Sequence, residues 1–429
     1  MAEIDETTQA PRPPFWRSIG PALITACVVM GPGSLLISAN VGATHRYQLL
    51  WLLLITGICM GTYVTMAARI GVVGGASICT LLAQKVNRTF AAVIGINLFL
   101  ICSAFQFSNN LAFVAASETL VPKLNTTLML VVLNVAIITF LFAAKQVYHF
   151  LERSMKIMVG LMVFCFLLNL LIAKPNLLGI LQGFIPSLPE SITFGIPKKV
   201  DGTIIDPMIL IASLLGTTFS VAAAFYQGNL VLEKGWTIKD YKNGIGDSII
   251  GVSVLTGISA IIMITTATVI YGKPADDIGV LAQSLRPLLG STAHIFFCIG
   301  LLAVAMNPFL INAMIGGGIL ADGLGKPARL SDRWPRIFTV CVLLIGMLVA
   351  LLALRTGEKP VSLIIFGQAL TVIGNPLMAG TMLWLANRKD IMGDKRNGPI
   401  HNALGILGFL LVLAMAIRVL LRLALQFSS

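Results

Sequence analysis

The chain has 429 residues, of which 57% are hydrophobic and only 11% charged, with a formal net charge of +12. A soluble globular chain carries roughly 25% charged residues, so this composition excludes water as the main solvent. Lys and Arg retained in membrane-flanking loops account for the positive balance, which makes anionic lipid the ordinary partner and requires no nucleic acid.

The leader Met1 to Pro14 is acidic, polar and proline-rich. It does not read as a cleavable signal, which is basic and then apolar, and residues 1–15 are expected to form a disordered cytoplasmic tail. The first charge-free run, Ser18 to His45, is interrupted by Gly31-Pro32-Gly33-Ser34. Proline removes a helical N–H and glycine tolerates non-helical angles, so the helix is predicted to open near residue 31. Charge-free runs follow at Tyr47 to Ala68, Thr89 to Ser117, Leu124 to Ala144 and Ile157 to Ala173. Each approaches the roughly 20 residues needed to cross a hydrocarbon core about 30 Å thick.

A hydrophilic connection, residues 174–206, leads to the sixth run, Pro207 to Leu232. This run carries a softer set of breakers, Gly216-Thr217-Thr218, then Ser220-Val221-Ala222-Ala223, then Gly228. Five further runs close the chain at Ser248 to Gly272, Pro287 to Ala321, Ile337 to Leu354, Pro360 to Asn387 and Asn397 to Ile417. Strict alternation is missing, which rules against outer-membrane strands and leaves an all-α membrane protein.

Corresponding breaks in the first and sixth of about eleven spans predict a LeuT-type fold, with two inverted five-helix repeats plus an eleventh helix. The boundaries expected are 16–173 for the first repeat, 174–206 for the extracellular connection, 207–387 for the second repeat, and 388–429 for a loop and helix 11. The alternative is that helices one and six are merely kinked and closely packed through small residues. With the N-terminus inside, 19 of the 30 Lys and Arg fall on the inner side and 11 outside. That bias predicts a multi-pass inner-membrane protein with a cytoplasmic N-terminus and an extracytoplasmic C-terminus.

Seven cysteines show no CxxC and no paired spacing, and read as buried thiols. His149, His294 and His401 lack any metal-ligand spacing with Cys, Asp or Glu, so no metal site and no cofactor is expected. With no nucleophile–base pair, phosphate loop or dinucleotide fingerprint either, the chain is not expected to be an enzyme.

From Trp16 to about residue 420 the sequence resembles the Nramp family of divalent-metal transporters. Gly20-Pro21-Ala22, Gly31-Pro32-Gly33-Ser34 and Tyr47-Gln48-Leu49-Leu50-Trp51 carry the resemblance in the first two helices. Gly300-Leu301-Leu302-Ala303, Gln368-Ala369-Leu370-Thr371 with Pro376, and Asn387-Arg388-Lys389-Asp390 extend it. The family's metal ligands are missing. Gly31-Pro32-Gly33-Ser34 stands where the family has Asp-Pro-Gly-Asn, and Ser220-Val221-Ala222-Ala223 where it has Met-Pro-His-Asn. Asn110 and Phe113 occupy the family's acidic pair on helix three, and Gln227 a second helix-six histidine.

A divalent cation at mid-membrane would then meet only neutral dipoles, while the helix N-terminus at the Gly31 break would present unopposed N–H groups suited to an oxyanion. The favoured expectation is therefore a secondary transporter of a small inorganic anion, bicarbonate first, as the resemblance to a divergent Nramp-related branch implies. The alternatives are a carrier of Mg²⁺ or another divalent cation bound through neutral oxygens, and an amino-acid carrier of LeuT type. The substrate-binding residues expected are Gly31, Gly33, Ser34, Ser220, Ala222, Ala223, Tyr226, Gln227 and Gln368. Beside these roles stand ordinary structural ones: helix capping by Ser34, close helix contact at Ser220, Ala222 and Ala223, packing for Tyr226 and Gln227, and an interhelical bond for Gln368.

Overall fold

The computed structural model describes residues 31–121, 125–142, 163–189, 195–200, 203–273, 277–329 and 331–427, with residues 157, 160, 161, 192 and 275. The expected tail, the first half of span one and part of span five lie outside the described residues.

Helix α1, Pro32–His45, starts abruptly at Gly31, whose backbone is extended (φ −91°, ψ 165°). Pro32 takes the first helical position, where its missing N–H leaves no bond unmade and its fixed φ suits the helix. Helices α2 (Leu50–Gly74), α3 (Arg88–Leu120), α4 (Thr126–Phe142) and α5 (Val163–Ala173) complete the first half. The connection that follows carries a short helix, Leu177–Gly183, and a hairpin of β1 (Lys198–Val200) and β2 (Thr203–Ile205), antiparallel with Lys198 opposite Ile205. This hairpin departs from the all-helical expectation, although the membrane-crossing part is helical throughout the described residues.

Span six is broken as its sequence predicted. Helix α6 (Ile209–Thr218) ends at Phe219 (φ −99°, ψ 65°), and α7 (Val221–Glu233) restarts with Ser220 as its N-cap, the hydroxyl accepting the Ala223 N–H at 3.4 Å. Helices α8 (Ile238–Val269), α9 (Ala293–Gly323) and α10 (Arg333–Leu354) follow. Span ten is also broken, a feature the sequence analysis passed over: α11 (Pro360–Leu370) and α12 (Asn375–Asn387) are separated by a turn, and Pro376 begins the second half. Helix α13 (Pro399–Phe427) closes the chain. Eight helices among the described residues are long and apolar enough to cross a membrane, and the shorter apolar helices of spans four and five accompany them.

Helix α9 lies along α3, and α10 packs on both, while α2 pairs with α7 and α8 with α1. Small residues permit these approaches. A Cβ on Gly95 of α3 would meet the Ile319 carbonyl at 3.1 Å, and one on Gly42 of α1 would lie 2.2 Å from the Met263 carbonyl of α8. Without a hydrophobic force between helices in lipid, such close packing and buried polar bonds hold the bundle. The start of α1 at Gly31, the break at 219–220 and Gln368 near the end of α11 come together in its middle.

Candidate functional site

The breaks enclose a cavity of about 60 Å³. Six of the nine residues expected to bind substrate line it: Gly31, Gly33, Ser34, Ser220, Ala223 and Gln368. Three do not. Ala222 is buried in the apolar core on another face of α7, Tyr226 packs against that core a turn further on, and Gln227 donates to the Ser248 hydroxyl at 3.4 Å. Thr217, Thr218, Asn109 and Asn312 also line the cavity. The two threonines were legible as part of the Gly-Thr-Thr breaker; the two asparagines carried no signal separating them from ordinary interhelical amides.

Gln368 sits at the centre of this arrangement. It is 2% exposed, and its side chain lies across the backbone of Gly33, where an added Cβ would fall 2.4 Å from the amide carbon. Its Oε1 has no hydrogen-bond partner among the described residues, nor has the Thr218 hydroxyl. A buried acceptor without a partner costs roughly 1–3 kcal/mol, which a bound ligand presenting positive charge or a donor would recover. Asn109 donates to Gln106 Oε1 at 3.0 Å, and Gln106 donates to the Phe309 carbonyl, so this wall is fixed by α3 and α9.

The electrostatics differ from those read off the sequence. The start of α1 is a partial positive end, but Pro32 removes one donor there, and at α7 the Val221 and Ala223 N–H groups are already taken by the Phe219 carbonyl and the Ser220 hydroxyl. Against them stands one partial negative end, where α6 finishes with Thr217 and Thr218 at the cavity; the last carbonyls of α11, Gln368 to Leu370, accept the N–H groups of Thr371 to Ile373 instead. Half-helix C-termini with unwound carbonyls are the usual membrane device for holding a cation without a full charge. No lining residue is Asp, Glu, His or Cys, and among the described residues no group of three such side chains could hold a metal.

The expected acidic pair of span three is replaced by a neutral network. Asn110 donates to the Gln106 carbonyl at 2.8 Å and accepts from Asn134 of α4 at 2.8 Å. Asn110 does not line the cavity.

Residues 22–422 match the family described as Nramp, natural resistance-associated macrophage protein-like. The divalent metal cation transporter MntH of Deinococcus radiodurans is 24% identical over 382 residues, 87% of this chain and 83% of the relative. MntH of Staphylococcus aureus strain JH9 is 25% identical over 418 residues, 94% and 90% of the two chains. Among solved structures, the Eremococcus coleocola manganese transporter in complex with an aromatic bis-isothiourea substituted compound superimposes with a TM-score of 0.73 at 17% identity, covering 99% of this chain and 91% of that one. Mhp1, a nucleobase-cation-symport-1 family transporter, gives a TM-score of 0.51 at 14% identity, covering 95% and 90%. These likenesses bear out the LeuT-type fold. They overturn the expectation of an anion, and of bicarbonate, as substrate and partner: the relatives are named for divalent metal cations. The physical error lay in weighing only the helix N-termini at the breaks, when the C-terminus of α6 and the unpartnered Gln368 Oε1 reach the same cavity.

Proposed function

The chain belongs to the Nramp family, and on that premise we propose that it is a secondary transporter carrying a divalent metal cation across the membrane by alternating access. Neutral oxygens hold the ion: the Ser34 and Ser220 hydroxyls, the Gln368 amide oxygen, and the carbonyls and hydroxyls of Thr217 and Thr218. Gly31 and Gly33 let the backbone approach, and Ala223 leaves room for water. The observation that carries this reading is the buried, unpartnered Gln368 Oε1 in a cavity that the C-terminus of α6 also reaches.

Hydroxyl, carbonyl and amide oxygens suit a hard cation such as Mg²⁺, which dehydrates reluctantly and keeps several waters, while the Met60 thioether that also lines the cavity suits a softer ion such as Mn²⁺. At ~30 Å³ per water, the cavity accommodates about two water-sized groups. A fully hydrated ion therefore requires the site to widen, as alternating access does when it opens to either side. An amino acid needs a pocket several times larger, since small-molecule sites occupy roughly 300–1,000 Å³.

On this reading residues 16–173 and 207–387 are the inverted repeats. The basic-residue bias supports a cytoplasmic N-terminus and an extracytoplasmic C-terminus. The test is uptake of Mg²⁺ and Mn²⁺ into proteoliposomes, with wild type and Gln368→Ala side by side. Saturable uptake of at least one of the two, lost by roughly tenfold or more in Gln368→Ala, is expected. Absence of uptake for both, with folded protein in the vesicles, overturns the proposal.

A further inference from the structure

A second cavity, unrelated to the breaks, runs along the outside of the bundle between α2, α8 and α13. It is a groove of about 530 Å³. Gly57 and Gly61 of α2 and Gly257 of α8 form its floor, and Phe184 and Ile400 stand at its edges. A Cβ at Gly61 or Gly257 would meet nothing within 4 Å, so the groove exists because these side chains are missing. Its rims are apolar and face outward: Leu54 is 47% exposed, Ile58 45%, Ile249 45% and Ile400 73%. Along α2 the lining runs from Leu50 to Thr65, which at 1.5 Å per residue is about 22 Å. That exceeds one leaflet, about half of the ~30 Å hydrocarbon core.

One end of the groove is basic. Arg69 lies one turn beyond Thr65 on α2, just past the end of the lining. Its side chain is partly exposed and, of its five N–H donors, one is committed to the Asn397 side-chain oxygen while the Nε is buried. Tyr241 ties the same corner together by donating to the Thr65 carbonyl at 3.3 Å. Lys395 and Arg396 lie exposed immediately before α13, with Asp394 the acidic residue beside them.

We propose that this groove holds an acyl chain of an anionic phospholipid whose phosphate is bound by Arg69. The apolar trough suits a single flexible chain, the guanidinium has donors left for an oxyanion that a zwitterionic lipid's own ammonium would partly offset, and the loop ahead of α13 adds positive charge. Each basic residue near an anionic headgroup adds about fivefold in binding. Filling the groove and removing the charge are separable operations, because Gly61 and Gly257 lie along the trough and Arg69 at its end.

The test is native mass spectrometry of the full chain in detergent, titrated with dioleoyl phosphatidylglycerol or dioleoyl phosphatidylcholine. Wild type is expected to bind phosphatidylglycerol at least fivefold more tightly. Gly257→Leu and Gly61→Leu, which fill open space, should weaken the first bound phosphatidylglycerol about tenfold, while Leu348→Phe on the exposed face of α10 should not. Arg69→Gln should bring phosphatidylglycerol down to the level of phosphatidylcholine; if that variant does not fold, the two glycine variants decide. Equal binding of the two lipids by wild type, or unchanged binding in both glycine variants, overturns the proposal. So does a dimer from which lipid is excluded, since the groove would then be an interface between copies.

Discussion

Gln368 of span ten lies directly across the backbone of Gly33 in span one, so close that a Cβ on Gly33 would sit 2.4 Å from its side-chain amide carbon. The first turn of α1 and the end of α11 therefore meet through a glycine on one side and an amide on the other. Gly33→Ala is expected to displace Gln368 from the cavity and lower cation flux at least tenfold, with normal insertion into the membrane. The end of a side chain can move, so the protein should still fold. Flux per folded protein, measured in Gly33→Ala, Gln368→Ala and the double variant, checks this. If the double variant is as slow as either single one, the two residues act as a unit; wild-type flux in Gly33→Ala would show that the position of Gln368 is immaterial.

Asn110 has a structural role. It joins α3 to α4 by accepting from Asn134 at 2.8 Å, and its own amide is spent on the Gln106 carbonyl. Asn110→Leu leaves a buried amide with a lost partner and should cost about 1–3 kcal/mol of stability. The same substitution should leave the pH profile of transport unchanged, because Asn110 carries no proton to give. Thermal melting in detergent and uptake between pH 5 and 8 separate the two effects.

Asp206 and Arg418 form a buried ion pair, Nη2 to Oδ1 2.6 Å and Nε to Oδ1 2.7 Å, joining the segment ahead of α6 to α13. Their side chains are 0% and 9% exposed. Removing one partner strands a charge, so Asp206→Ala or Arg418→Ala should cost about 3–5 kcal/mol, whereas Asp206→Leu with Arg418→Met should come close to wild type. Melting temperatures of the three variants decide. Equal loss in the double and single variants would mean that the site depends on the charges themselves.

On the surface, Asp390 accepts from Arg388 at 2.8 and 3.1 Å and faces Lys85 Nζ at 2.8 Å. These bonds, that of Arg388 foremost, hold its carboxyl below the usual carboxylate range. A depressed pKa gives stability that is present above the unfolded value near 4 and lost as pH falls through the folded one. The difference in melting temperature between wild type and Asp390→Asn should thus be constant from pH 5 to 8 and shrink only in stronger acid. A difference that changes near neutrality would point to another group.

The scaffold was legible because its causes are local. Gly31-Pro32-Gly33 fixes a helix start and Ser220 is a natural N-cap following Gly-Thr-Thr, so the start of α1 and the break of span six could be placed to within a residue or two. The break in span ten was missed because Thr371-Val372-Ile373 reads as an apolar helix; the available signal was Pro376, which starts a helix as readily as it kinks one. Tyr226 and Gln227 follow the span-six break, and Gln227 stands where the Nramp pattern has a histidine, but both lie a helical turn beyond Ala223 along α7 and do not line the cavity. The sign of the substrate's charge depended on which half-helix ends converge, and that is a property of the assembled bundle. Loss of the family's charged ligands was visible; the approach of the α6 carbonyl end to Gln368 was not.

That sign can be tested at Gly31. Among the described residues a Cβ there meets only Pro308 Cγ, at 3.9 Å, so a small side chain fits against them without moving the backbone. Gly31→Asp restores the carboxylate that the Nramp pattern carries at this position. A unit charge pair at roughly 4 Å with an effective dielectric near 20 is worth about 4 kcal/mol, and a divalent ion doubles that, to about 8 kcal/mol before relaxation and desolvation. A sixth of this is already tenfold in affinity. Mn²⁺ should therefore bind Gly31→Asp at least tenfold more tightly than wild type, and adding Ser220→Met, which supplies a thioether, should raise its preference over Mg²⁺. Gly31→Asn, equal in size and neutral, is the control. Calorimetric titration of both ions into the four proteins gives the answer. If Asp and Asn change cation binding equally, the position acts through bulk alone. If Gly31→Asp weakens binding of both cations while Gly31→Asn does not, the cavity favours negative charge and the cation reading fails.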